Sequence, residues 1–433
     1  MKTISFSDVD EAELLSSLAR PNIEYSTILD QIQPIIDDVR EHGDEAVEKW
    51  TEKFDNVTVD QTCIPVPHPD TIELPKKVKK AFDNAYRNIY NFHIAQKPAD
   101  LKVRTMEGIV CERISRPIER VGLYVPGGTA VLPSTTLMLG VPAQIAGCST
   151  IVLTTPPNKE GGVHPEVLYT AGLIGATHIV LAGGAQAVAA MAYGTESVPK
   201  VDKILGPGNQ YVTAAKMYLQ NTNAQISIDM PAGPSEVLVI ADESSNPAFV
   251  AADLLSQAEH GVDSQVVLVS VDGFDLKNLH EEIDQQLEKL SRRDIAKNAL
   301  ENSVIVKVHS VDEAVIVSNL YAPEHLIIQT KKPRKLLENV TNAGSVFLGK
   351  WTPESLGDYA SGTNHTLPTY GYARMYSGVS LQSYLKFITV QKADKDGILK
   401  LGPTVQTMAD VEGLDAHKNA VTIRLEALKM NKS

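Results

Sequence analysis

From about residue 119 onward, short apolar runs alternate with segments of helical periodicity, and this rhythm constrains the fold more than any other feature of the chain. Strands that hand over repeatedly to helices form βαβ units, with a mainly parallel sheet covered by helices. VGLYV (121–125) reads as a strand ending in Pro126-Gly127-Gly128. Strands are then expected over 150–155, 178–182 and 203–205, with helices over 134–147, 164–175, 186–193 and 209–219. The rhythm restarts at Glu236, with strands over 236–242, 264–271, 303–308, 325–330 and 344–349 and helices over 246–260 and 276–300. The interval between first and second strands is similar in the two halves, so a duplicated Rossmann-like unit is the working architecture. Ahead of it, helices are expected over 8–18, 27–54 and 75–96, with an irregular Pro-rich stretch between 55 and 75; residues 400–427 close the chain with mostly helical sequence.

A chain of 433 residues exceeds one ordinary hydrophobic core, so two or more domains are expected. No low-complexity linker separates the blocks, which points to closely packed domains with a site between them. Apolar residues make up 43% and charged residues 21%, and no apolar run is long enough to span a bilayer. The N-terminus, MKTISFSDVDEAELLSSL, places acids where a signal peptide needs an apolar stretch, so a cytosolic location is expected. Cys63, Cys111 and Cys148 form no metal or redox spacing and fit a reducing compartment. The net charge of -13 argues against nucleic acid or anionic membrane as a main partner.

Three glycine-rich turns follow strands: VPGG (125–128), AGGAQ (182–186) and GPGN (206–209). Glycine lets backbone approach a phosphate and a helix N-terminus supplies N–H donors; equally, any α/β protein uses glycine at such turns. Gln257 and His260, late on a helix, share a face and could share a metal, or His260 could cap the helix. Glu324 and His325, in APEHL just before a strand, are either an acid/base pair or a solvated one. In WTPESLGDYASGTNHTLPT (351–369), Thr352 reads as an N-cap, Glu354 and Asp358 lie one turn apart, and Gly362, Asn364 and His365 follow in a loop. Glu412 and His417 bracket another polar turn. Cys148 reads as a buried small hydrophobe rather than a thiol nucleophile.

Taken together, these segments resemble the histidinol dehydrogenase family. The likeness runs from about Arg20 to Leu428 and is carried by GLYVPGG, GPGNQYVTAAK, AGPSEVLV, LLSQAEHG, APEHL, SLGDYASGTNHTLPT and HKNAVTIR, in that order. The resemblance implies zinc ligands Gln257, His260, Asp358 and His417 and the catalytic pair Glu324 and His325. It implies substrate contacts from Ser235, Glu354, His365 and Glu412, beside His325 and the four metal ligands, and NAD contacts from Tyr124, Gln186 and Asn209. It further implies an α/β fold of two incomplete Rossmann-like domains with small helical terminal segments. Residues 121–234 would bind NAD, 21–120 with 235–379 would carry the zinc and catalytic residues, 1–20 would be a helical arm, and 380–433 would dimerise.

The implied reaction is the zinc-dependent, NAD-linked oxidation of L-histidinol through L-histidinal to L-histidine, the last step of histidine biosynthesis, in a homodimer with shared active sites. Acids at 354 and 412 suit a cationic amino alcohol. The alternative is a related zinc and NAD enzyme acting on another polar alcohol such as a sulfonated diol, which should lack these contacts. A non-catalytic Rossmann-like binding protein should have lost Glu324, His325 or a ligand, and all are present.

Overall fold

The computed structural model describes residues 1–21, 25–127 and 131–430. Numbered along the chain, β1 is Lys2–Ser5, β2 Cys63–Pro65, β3 Leu101–Met106, β4 Ile109–Pro117 and β5 Arg120–Tyr124. The next five are β6 (Thr150–Thr155), β7 (His178–Leu181), β8 (Lys203–Leu205), β9 (Ser227–Ile228) and β10 (Glu236–Ala241). The last five are β11 (Gln265–Val271), β12 (Val304–Val308), β13 (His325–Gln329), β14 (Ser345–Leu348) and β15 (Leu385–Ala393).

These strands form three sheets among the described residues. One runs β2-β7-β6-β5-β8-β9 and is parallel except for β2. A second runs β1-β12-β11-β10-β13-β14 and is parallel throughout. The third, β15-β4-β3, is antiparallel. The chain divides into two compact units. Residues 1–96 and 118–384 hold both parallel sheets; residues 97–117 and those from 385 on hold the antiparallel sheet and the helices Lys395–Val411 and Asp415–Met430.

The parallel sheets follow from strands that are apolar on both faces. All six residues of β10 are buried. Val237, Val239 and Ala241 pack with Val250 and Leu254 of the helix Pro247–Ala258, whereas Leu238 and Ile240 join Leu14, Leu18 and Tyr321 on the other face. A side-chain period of two sorts them in this way. In the other parallel sheet, Val152 and Val180 face Ile32, Ile36 and Val188, while Leu153, Ile179 and Leu181 face Leu137 and Val141.

The structure departs from the sequence reading in several places. Lys2–Ser5, expected to lie in a helical arm, pairs with β12 as an edge strand. Residues 25–94 pack on the sheet of 121–228, not on that of 236–348. The helix Tyr25–Asp55 joins the core of the helices Gly184–Tyr193 and Gln210–Gln220, and β2 extends β7. The expected helix over 276–300 breaks into Leu276–Leu287 and Arg293–Glu301, since charged periodicity runs through the break without glycine or proline to mark it. The helix Val311–Tyr321 was not expected, although Ser310 accepts from the Glu313 N–H as its N-cap. The antiparallel sheet was not expected either, because its Lys- and Arg-rich strands are mostly exposed and blur the period-two signal.

The start of β13 is held by close backbone packing. The Gly344 and Ser345 N–H groups donate to Pro323 and Glu324 carbonyls at 2.9 and 2.8 Å. A Cβ at Gly344 would stand 2.6 Å from the Glu324 carbonyl oxygen. Gly344→Ala should therefore cost about 1–3 kcal/mol of stability, read as a lower denaturant midpoint; an unchanged midpoint would mean that the backbone at Glu324 yields freely.

Candidate active site

Glu324 and His325 enter β13 from a turn that opens with Ala322 in the left-handed region at φ 54°. Because β13 lies between β10 and β14, both side chains are buried, at 5% and 3% exposure, which removes the solvated-pair reading. His325 Nδ1 lies 3.2 Å from the Glu236 carbonyl oxygen, which can only accept, so Nδ1 carries a proton. Nε2 is thereby turned toward Asp358 Oδ1 at 3.3 Å. Glu324 Oε2 accepts from the Glu236 N–H at 2.9 Å and lies 3.6 Å from His325 Nδ1.

Burial opposes charge on His325, but Glu354, Glu324 and Asp358 outweigh it and raise the imidazole well above its usual range. Burial raises Glu324 against the pull of His325, and raises Glu354 well above the ordinary carboxylate range. Burial also works to raise Asp358, but the neighbouring histidines, His325 first, bring it below its usual value.

The helix Pro247–Ala258 delivers Gln257 and His260 to this end of the sheet. It stops two residues short of the expected boundary, yet the His260 N–H still donates to the Gln257 carbonyl at 3.2 Å, so the three-residue stacking survives. Gln257 is fully buried, and neither polar atom of its amide has a hydrogen-bond partner among the described residues. The helix Glu354–Tyr359 begins after Pro353; Thr352, the expected N-cap, donates its hydroxyl to the Leu348 carbonyl instead. His260, Glu354 and Asp358 each present a ligand atom, all within 4.8 Å of one another. Glu354 was read only as a substrate contact, yet it stands in this metal-capable group, buried and with Oε2 unpartnered. His365 donates from Nδ1 to the Asp358 carbonyl at 2.9 Å and sets Nε2 3.1 Å from Thr135 Oγ1. Ser235 is half-buried immediately before β10.

The glycine turns lie at the opposite kind of edge. In their sheet β5 comes first, with β6 and β7 on one side and β8 and β9 on the other, so strand order reverses between β5 and β8. Ligands of parallel sheets bind outside strand C-terminal ends at such a point. Tyr124 ends β5 and Gly206 follows β8. Gly206 has φ 129°, and a Cβ there would stand 2.2 Å from the Tyr124 carbonyl oxygen. The Tyr124 hydroxyl accepts from Gly184 N–H at 2.9 Å, and burial pushes its pKa up to about 12. Gln186 is buried, and its Oε1 has no hydrogen-bond partner among the described residues. Asn209 Oδ1 caps the helix Gln210–Gln220, leaving its amide nitrogen free of that task. Gly128 of the first turn lies outside the described residues.

Glu412 and His417 belong to the second unit, where both are exposed around the turn joining its two helices. Cys148 is half-buried, and burial pushes its thiol up to about 12, which disfavours a nucleophilic thiolate. The sequence reading missed Arg20, Thr135, Glu236 and Asp253. Asp253 lies one turn before Gln257; it accepts from Gln329 Nε2 at 2.5 Å, and burial pushes its pKa up to about 6. These four signal only through distant partners, with no local motif to mark them.

A family model described as histidinol dehydrogenase matches residues 18–425. The chloroplastic histidinol dehydrogenase of Arabidopsis thaliana is 59% identical over 430 residues, covering 99% of this chain and 92% of that protein. The histidinol dehydrogenase of Vibrio parahaemolyticus is 53% identical, with 100% of each covered. The crystal structure of the Elizabethkingia anophelis histidinol dehydrogenase superposes with a TM-score of 0.94 at 47% identity, over 99% of both chains.

Proposed function

This chain belongs to the histidinol dehydrogenase family, and on that premise we propose that it oxidises L-histidinol through L-histidinal to L-histidine by two hydride transfers to NAD. The observation that carries the reading is the buried His325, whose Nε2 faces the group formed by His260, Glu354 and Asp358. His325, with Nδ1 anchored on the Glu236 carbonyl and Nε2 unprotonated, accepts the alcohol proton at Nε2 as the first hydride leaves. Glu324, a buried carboxylate beside it, removes a proton from the water that adds to the aldehyde; the hydrate then gives up the second hydride. Glu354 and Glu412 accept hydrogen bonds from the N–H groups of the substrate, with Ser235 and His365 as further contacts.

Gln257, His260 and Asp358, with His417, fit a zinc ion: two imidazoles, a carboxylate and an amide make a borderline donor set, and the Gln257 amide is buried without a partner. When bound, zinc would hold the substrate nitrogens and so supply orientation. His260→Ala or Asp358→Ala should remove zinc and turnover together, measured as metal content and NADH formed per histidinol. Full activity in a metal-free His260→Ala protein would sink the assignment.

NAD binding is assigned to the reversal point between β5 and β8, through Tyr124, Gln186 and Asn209. The division of labour between Glu324 and His325 is tested by half-reaction. His325→Ala should slow histidinol oxidation by about 10²–10⁴-fold, whereas Glu324→Ala should mainly slow oxidation of supplied histidinal. Histidinal oxidised at the parental rate by Glu324→Ala would refute its role in water activation.

The active site is further assigned to two subunits of a homodimer, with Glu412 and His417 supplied across the two-fold axis from an exposed helical hairpin. Inactive His417→Ala and His260→Ala chains, allowed to exchange, should regain about half of parental activity per mixed dimer, since one of the two sites is then intact. Verified mixed dimers that stay inactive place each site within one chain.

A further inference from the structure

The two catalytic side chains share one neighbour that makes contact through three different atoms. Glu236, the first residue of β10, donates its N–H to Glu324 Oε2 at 2.9 Å. Its Oε1 accepts from the Glu324 N–H at 3.3 Å, and its carbonyl accepts from His325 Nδ1 at 3.2 Å. In the β10–β13 register His325 stands opposite Val237, so the Glu236 carboxylate binds the N–H just beyond the paired residues and fastens the backbone as it enters the site.

That carboxylate is only 1% exposed, and Arg20 neutralises it. Arg20 Nε and Nη2 donate to its two oxygens at 2.5 and 2.7 Å, a bidentate fork. The guanidinium is itself fixed: Nη2 also donates to the Tyr321 carbonyl at 2.8 Å, and the group lies 3.9 Å above the Tyr321 ring. Tyr321 donates its hydroxyl to Gln265 Oε1 at 2.9 Å, and Gln265 Nε2 returns to the Ala19 carbonyl at 3.1 Å. A buried carboxylate stripped of its cation is strongly unfavourable. Here it would also stand beside Glu324, and the two like charges would push apart at the point where Glu324 must be held.

We infer that Arg20 and Glu236 are positioning residues of the catalytic pair, Arg20 cancelling the buried charge with which Glu236 would otherwise displace Glu324. The inference rests on the reading of Glu324 and His325 as the reacting groups. Arg20 touches neither of them, so its loss should act on turnover and not on substrate capture.

The test compares Arg20→Met, Glu236→Gln and the double variant as zinc-loaded full-length proteins. Arg20→Met should lower kcat for histidinol by about 10- to 100-fold, with KM within about twofold. The double variant removes the stranded charge but keeps an amide oxygen for the Glu324 N–H, and should recover at least about fivefold of that loss. Should Arg20→Met not fold, Arg20→Lys keeps the cancelling charge and loses only the fork, so it should keep kcat within about threefold of the parental value at constant KM. Parental kcat in Arg20→Met, a loss of about tenfold or more in Arg20→Lys, or a double variant no better than Arg20→Met, overturns the inference. If Glu324→Ala and His325→Ala both turned over at the parental rate, the underlying assignment would fail instead, so the two failures are told apart.

Discussion

The site depends on how a set of carboxylates is kept charged, or kept from charging, inside a nearly dry sheet edge. Glu236, Glu324 and Glu354 are each at most 5% exposed, and Asp358 is close beside them. Arg20 and His325 are the cations at hand, and each is already engaged: Arg20 with Glu236, His325 with Asp358 and Glu324. Isolated buried charge is costly enough that side chains shift their proton affinity before they tolerate it. The upward shifts of Glu324 and Glu354 and the upward shift of His325 are two sides of that accommodation.

The two parallel sheets use their edges differently. Two of the three glycine turns follow β5 and β8 at a strand-order reversal, the usual place for a nucleotide in an open α/β sheet, and the third follows β7. In the other sheet, order reverses between β10 and β13, yet the chemistry gathers at the opposite ends of those strands, where Ser235 and Glu236 open β10 and His325 opens β13. The helix Pro247–Ala258 runs antiparallel to β10, so its last turn, with Gln257, arrives at that same N-terminal edge. The two sheets share a strand order, yet their candidate sites fall at opposite ends of the strands.

Local sequence made the parallel blocks legible, since their strands are uniformly apolar and their turns carry glycine. It made the first half of the site legible too: the Gln257–His260 spacing and the run from Glu354 to His365 mark helix ends rich in ligands. Burial of Glu324 and His325 was not legible, because it comes from β10 and β14 on either side, and β10 lies 88 residues back along the chain. The Arg20–Glu236 pair spans 216 residues and carries no motif. The antiparallel strands hid for the converse reason: β15 is exposed along nearly all its length, so no apolar face announced it.

The charge pattern also bears on what the site can accept. Once Arg20 is assigned to Glu236 and His325 to Asp358, Glu354 is left buried with an oxygen that no donor reaches, beside the carboxylates of Asp358 and Asp253. An anionic substrate group would bring further negative charge to a cluster of acids that burial already keeps from ionising freely, and would offer the Glu354 oxygen no hydrogen. A ligand that brings positive charge does the opposite: it satisfies the unpartnered oxygen, stabilises the ionised form of Glu354, and relieves the crowding of acids around His325. A substrate rich in N–H donors and free of negative charge thus meets what Glu354 lacks, which supports the reading of histidinol over a sulfonated alcohol.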